Sequence, residues 1–288
     1  MRILFASDLH VNQEHLFCLL NTAAEERAEV VIIGGDIAPR HNNIGNQADY
    51  ICCEFLPVLS KFKSEYPDIK IFLDMANDDV IKNRPLLEKH NGSLFYLIHN
   101  CKVPISEDLD LIGYMNVPVT PFHMKDWELF DCREFLYQTG VKVNLEGYST
   151  AGGEKRDIAI DHSAGYMEDD LEALSENIKR EFILVTHSPP YNTKLDVIYA
   201  GFHVGSMAVR RFIEKHGGDG YLKLSLHGHI HESPEVSGSY KDVINGVECI
   251  NPGQKKHELQ TVIIDMFEEK NEVRKVDKIS SASSLFRD

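Results

Sequence analysis

The chain predicts an α/β fold built on a largely parallel sheet, and three observations carry that expectation. Short, continuous apolar runs alternate with segments of helical periodicity. Successive runs end in Gly, Asp, Asn or His. No linker, internal repeat or low-complexity tract divides the 288 residues, so a single domain over 1–288 is expected.

Taken in order, Ile3-Leu4-Phe5-Ala6 reads as a first strand. Leu16, Leu19, Leu20, Ala23 and Ala24 follow at helical spacing, with Asn12 as the expected cap. Val30-Val31-Ile32-Ile33, closed by Gly34-Gly35, has the unbroken apolar character of a strand buried on both faces. Phe55, Leu56, Leu59 and Phe62 mark the next helix, and Ile69–Leu73 the third strand. Leu94–Leu97 and Leu109–Tyr114 read as further strands with shorter connections. Residues 144–165, rich in Gly, Ser and charge, are expected to form a long loop or lid. A helix marked by Met167, Leu171, Leu174 and Ile178 precedes a strand at Phe182–Val185. Another helix, capped by Ser206 and ended by Gly217-Gly218, precedes the run Tyr221–Leu226. The close reads as β-rich at Gly246–Ile250 and Thr261–Ile264, with a polar, fraying tail over 268–288.

Composition narrows the function. A hydrophobic content of 43% is enough for a sizeable core, and a net charge of −15 disfavours nucleic acid and anionic membrane surfaces as partners. Six cysteines without a Cys-x-x-Cys pattern suit a reducing compartment. Asp8 and His10 interrupt the first apolar run, so no signal peptide is expected. No stretch reaches the roughly 20 apolar residues of a membrane span. The expectation is a cytoplasmic protein acting on a small partner, its oligomeric state open, a homo-oligomer included.

The polar residues at the strand ends carry the chemistry. Parallel sheets bind ligands beyond the carboxyl ends of their strands. Asp8 and His10 follow the first run, Asp36 the second, Asn77 the third, His187 a fourth, and His229 and His231 a fifth. Gly228 beside the histidine pair permits close backbone approach, and the i, i+2 spacing lets both rings reach toward metal. Singly, Asp8 or Asp36 suits a helix cap, Asn77 a turn, and the histidines a solvated loop. Jointly the seven are too many for one tetrahedral zinc and suit two ions of higher coordination number. Carboxylate, amide and imidazole together favour Mn, Fe, Zn or Ni over Ca or Mg. Two such ions about 3.5–4 Å apart clamp a phosphoryl group and generate a hydroxide near neutral pH.

The order Asp-x-His, Gly-Asp, Asn-x-Asp, lone His, Gly-His-x-His resembles the calcineurin-like metallophosphoesterase superfamily from Asp8 to His231. Val119–Phe122 with Asp126-Trp127-Glu128, Thr186–Tyr191 and Asn251-Pro252-Gly253 look like a prokaryotic branch of it. The resemblance implies a four-layer α/β/β/α sandwich with a dinuclear centre at the sheet edges. It implies that Asp8, His10, Asp36 and His231 hold one metal, and Asp36, Asn77, His187 and His229 the other, with Asp36 bridging. Asp36, Asn77, Asp78 and His187 would then be the catalytic set. The implied reaction is in-line attack of a metal-bound hydroxide on phosphorus in a small phosphorylated substrate, more a phosphodiester than a monoester.

One departure stands out. The family's Gly-Asn-His-Asp segment is Ala76-Asn77-Asp78-Asp79 here, so a carboxylate replaces the histidine that would protonate a leaving oxygen. A carboxylate with a pKa of about 4 is a poor acid at neutral pH. His41 and His227 are the candidate substitutes. The departure also keeps alive a regulatory or scaffold protein that binds metal with little turnover. A metal-dependent hydrolase acting on carbon is the third class, and the absence of His-x-His-x-Asp-His counts against it. Arg40, Arg156, Lys194 and Asp196 are candidate substrate contacts, and Asn251 a candidate support for the ligands.

Overall fold

The computed structural model describes residues 1–10, 13–40, 45–134, 141–267 and 271–279. The first third alternates as expected: β1 (Arg2–Ala6), α1 (Gln13–Glu25), β2 (Val30–Ile33), α2 (Gln47–Tyr50), α3 (Leu56–Glu65), β3 (Lys70–Leu73), α4 (Arg84–Glu88) and β4 (Tyr96–Leu97). A π-helical turn, Ile51–Phe55, joins α2 to α3. The expected cap at Asn12 lies outside the described residues.

The chain then runs through β5 (Cys101–Pro104), β6 (Leu109–Tyr114), β7 (Val117–Pro118), β8 (Glu128–Leu129), β9 (Glu146–Ser149) and β10 (Arg156–Ala159). It continues with α5 (Met167–Ser175), β11 (Glu181–Thr186), α6 (Met207–Gly218), β12 (Leu222–His227) and α7 (Ser233–Ser237). It closes with β13 (Lys241–Ile244), β14 (Val247–Ile250), β15 (Glu258–Asp265) and β16 (Glu272–Ile279). Ser206 caps α6 as its sequence position suggests, accepting a hydrogen bond from the Val209 amide at 3.0 Å. The glycine pair ends α6 as expected: Gly217 and Gly218 are its last residues, with Asp219 at the C-cap.

Two six-stranded sheets form the centre, ordered β16-β15-β1-β2-β3-β4 and β13-β14-β12-β11-β6-β5. Within each, four consecutive strands are parallel: β1–β4 in the first, and β6, β11, β12 and β14 in the second. Antiparallel strands close the edges. The helices lie outside. Leu16 and Leu19 of α1 and Leu59 and Phe62 of α3 join the core around the first sheet. Met167 and Leu171 of α5 and Val209 and Ile213 of α6 build a second cluster. Strand alternation links the two. Ile183 and Val185 of β11 point into the first core, whereas Phe182 and Leu184 point to α6. The architecture is the four-layer α/β/β/α sandwich.

Two expectations need correction. Residues 144–165 are not one open loop: β9 and β10 pair as a hairpin, with Tyr148 bridged to Met124. The alternating pattern Glu146-Gly147-Tyr148-Ser149 was masked by its glycine and charge. The closing tail is not wholly polar fringe either. β16 pairs with β15 in unbroken register from Asp265↔Glu272 to Glu258↔Ile279. Its charged residues suit an edge strand, which is why hydropathy alone concealed it. Residues 268–270 and 280–288 lie outside the described residues.

Candidate metal centre

The polar residues sit where the parallel strands end, and a backbone feature aims them. Asp8, His10, Asp36 and His229 all take left-handed backbone angles, with φ of 59°, 42°, 52° and 66°. Such angles are costly for non-glycine residues and concentrate at functional sites. They turn the chain out of the pleat, so residues that would alternate across a strand converge. Close glycines are required too. A Cβ on Gly35, at φ +104°, would stand 2.7 Å from His187 Nδ1, and one on Gly228 would collide with Ser7 Oγ and Asp8 Oδ2.

Three groups of donors converge: Asp8, His10 and His231; Asp8, Asp36 and His187; and His10, Asp36 and Asp78. Asp8 Oδ1 stands 3.0 Å from His231 Nε2 and 3.7 Å from His187 Nε2. Asp36 Oδ2 stands 3.3 Å from His187 Nε2 and 3.7 Å from His10 Nε2. Both carboxylates therefore reach toward both sides of the centre. The His187 and His229 rings lie 5.2 Å apart by centroid. Asn77 is buried, and its Oδ1 has no hydrogen-bond partner.

These features fit divalent cations. Two fully buried carboxylates, an unpartnered amide oxygen and four convergent imidazoles leave charge that only cations or protons can balance. His187 shows the pull directly. Burial lowers its pKa, but Asp36 and Asp8 outweigh that and raise it to about 10. Its Nδ1 lies 2.8 Å from the Gly34 carbonyl, the contact that fixes Nδ1–H and leaves Nε2 toward the carboxylates. His229 has the opposite balance: burial, then His187, lowers it to about 3, so it is a neutral base. Burial raises the pKa of Asp8, but His231 and His187 hold it well below the usual carboxylate range.

His231 shows what binding would have to change. Arg40 Nη2 lies 2.8 Å from its Nδ1. An arginine can only donate, so in this arrangement Nε2 carries the proton and donates to Asp8. Ligation through Nε2 requires the other tautomer and a turn of the half-exposed Arg40.

Supporting residues were less visible in the sequence. Asp79 is fully buried and accepts from the amides of Ile37, Ala38 and Ala76, tying the β2 and β3 loops together. Gln47 adds a second tie, donating to Pro39 and Asp78 carbonyls and accepting from the Val80 amide. Asn251 Nδ2 lies within 3.2 Å of the Gly228 and Ile230 carbonyls, which braces the histidine loop as its sequence position suggested. Only the charge at Asp79, next to the noticed Asp78, hinted at the first of these.

The other candidates separate clearly. Asp78 lies at the centre, 3.7 Å from His10 Nδ1 and 3.9 Å from Arg40 Nε. Arg156 instead donates to the Ala151 carbonyl within the hairpin. Lys194 uses its amide on Asp242. Asp196 is fully buried and accepts from the amides of Asn192, Thr193 and Gly205, with His203 Nδ1 2.7 Å away. His227 is no free acid: it is fully buried, its Nδ1 lies 2.8 Å from Thr186 Oγ1, and burial lowers its pKa to about 3. His41 lies outside the described residues.

The two sheets meet over a cluster of carboxylates and imidazoles that could hold metal ions. The chain belongs to the calcineurin-like phosphoesterase family, whose model matches residues 1–233. An uncharacterized protein, MJ1162 of Methanocaldococcus jannaschii, is 36% identical over 157 residues, covering 51% of this chain and 68% of that one. Among solved structures, TT1561 of Thermus thermophilus superposes with a TM-score of 0.59 at 15% identity, over 95% of this chain and 97% of that chain. A dimetal phosphatase from Danio rerio superposes with a TM-score of 0.58 at 11% identity, over 98% of this chain and 99% of that chain. At these identities the likeness establishes the fold. The family acts on phosphoesters and binds two divalent metals. Among the described residues no helix is long and apolar enough to cross a membrane.

Proposed function

We propose that this protein is a dinuclear metal-dependent phosphodiesterase acting on a small substrate. The observation that carries the reading is the meeting of buried Asp8 and Asp36 with His10, His187, His229 and His231 beside the unpartnered Asn77 oxygen. We assign Asp8, His10 and His231 to one ion and Asn77, His187 and His229 to the other, with Asp36 between them. When bound, the two cations supply Lewis acidity toward phosphoryl oxygens and a nucleophile at neutral pH; Mn, Fe, Zn and Ni suit the donor set.

The chain's own groups do the rest. The Gly34 carbonyl orients His187, and Asp78, 3.7 Å from His10 Nδ1, favours a proton on that nitrogen and a free Nε2. Arg40 is the half-exposed cation at the rim, placed to meet a phosphoryl oxygen. Asp78 favours diesters. An ionised carboxylate there repels a dianionic monoester more than a monoanionic diester, and it donates no proton to an alkoxide. The six free thiols suit a cytoplasmic setting.

The test is a panel of phosphomonoesters and phosphodiesters with Mn²⁺, Ni²⁺, Zn²⁺ or Fe²⁺ against a chelated control. Metal-dependent turnover of an aryl diester above an alkyl monoester is expected. The reverse order sinks the diesterase reading. Tight metal binding with no turnover of any ester would favour the scaffold reading that Asp78 motivates.

A further inference from the structure

The loop carrying His229 and His231 separates two unlike cavities. On the His229 side lies a cavity of about 300 Å³, walled mainly by Val119, Phe122, Val143, Ile198 and Val204. On the His231 side lies one of about 550 Å³, whose walls mix Lys255, Lys256 and Lys275 with Glu232 and Glu235. No lysine or arginine lines the first cavity among the described residues.

Resting on the diesterase reading, we propose that the first cavity is a specificity pocket for an apolar alkyl or aryl substituent of the phosphodiester. It opens onto His229, one of the residues assigned to the metal centre. Two of the polar groups in its wall are already engaged, leaving Glu232 and His229 at its rim. Thr120 Oγ1 donates to Glu128, and Asp131 accepts from the Ser206 hydroxyl and the Met207 and Ala208 amides. Apart from Glu232, which borders both cavities, and His229, a nucleobase would meet few open partners for its edge, whereas a hydrocarbon fits the apolar wall. Phe122 is 47% exposed at this wall, an apolar surface that a bound chain would cover. The charged cavity on the other side, of mixed sign, is where the polar remainder of the substrate would lie. The substrate class is therefore an amphiphilic phosphodiester.

A series of p-nitrophenyl alkyl phosphates tests this, because the leaving group stays constant while the spectator chain grows. With Mn²⁺-loaded protein, kcat/KM should rise from methyl to butyl ester by about threefold or more per methylene. Val204→Trp, which fills the cavity, should flatten the series. Phe122→Ser, at a largely exposed position, should lower its slope, and thermal melting confirms that each variant is folded. Turnover of the methyl ester without a rise toward butyl overturns the pocket and leaves the diesterase reading standing. A nucleoside p-nitrophenyl phosphate preferred over the butyl ester also overturns the pocket. Turnover of no diester with any of the metals overturns both.

Discussion

The two sheets bring opposite chemistry to one centre. The first supplies the anions and the amide, Asp8, Asp36 and Asn77, together with His10. The second supplies imidazoles only: His187, His229 and His231. Burial acts against both, raising carboxylate pKa values and lowering imidazole ones. The first side therefore depends on neighbouring positive charge to stay ionised, and the second can stay neutral unaided, as His229 does at about 3. His187 and His231 are the exceptions, because His187 faces both carboxylates and His231 faces Asp8, which raises both pKa values. The lesson is that charge on the first side should govern whether cations bind at all, while the second side should govern how well each is held.

The largest effect should follow from removing an anion. Asp36→Asn keeps the shape and deletes the charge shared by both sides. It should lose at least one ion and at least about a thousandfold in turnover, beyond what one oxyanion donor usually contributes. Two tightly bound metals in that variant by elemental analysis would break the comparison. His229→Ala and His231→Ala should each cost about a hundredfold in activity while moving Tm by no more than about 4 °C. They should weaken different ions, and a crystal structure of the metal-loaded protein with both rings on one ion would contradict that. Asn251→Ala removes the brace on the histidine loop and should weaken metal affinity about 10–100-fold; unchanged affinity by competition with a chelator would show that the loop holds itself.

Two smaller effects sharpen the picture. Asp78→His should raise monoesterase turnover relative to diesterase turnover several-fold, and an unchanged ratio would remove Asp78 from the selectivity argument. His15 of α1 is a buried imidazole whose ring nitrogens both lack a partner, the counterpart of His187 with only Glu14 opposing the effect of burial. Burial lowers its pKa to about 4. Its folded pKa lies below the unfolded one, so the stability it permits is present above about pH 6.5 and is lost as pH falls toward 4. His15→Leu should retain about 1–2 kcal/mol more stability than the parent protein at pH 4.5, relative to pH 7.5, after allowing for solvent screening. Parallel loss in both proteins, followed by urea unfolding, would show that His15 is not what acid titrates.

Much of the centre was legible because parallel strands advertise themselves. Val30–Ile33 is an unbroken apolar run, and the polar residue after it stands out. The same holds for Asp8, Asn77, His187 and His229. Residues that act by bracing carry no such signal: Asp79 and Gln47 work through backbone amides and carbonyls of loops distant in sequence. Edge strands were hidden for a different reason. β16 and the β9–β10 hairpin expose much of their length to water, so their charge reads as loop. The apolar cavity was illegible because its wall is assembled from separate segments around residues 119, 143, 198 and 229.

The central claim is that the meeting of the two sheets holds two divalent cations. Protein saturated with Mn²⁺, freed of loosely held metal by gel filtration and measured by elemental analysis beside Asp36→Asn, tests it most directly. The account predicts two equivalents per chain in the parent protein and one or none in the variant. One equivalent or none in the parent, or two in both, would contradict it.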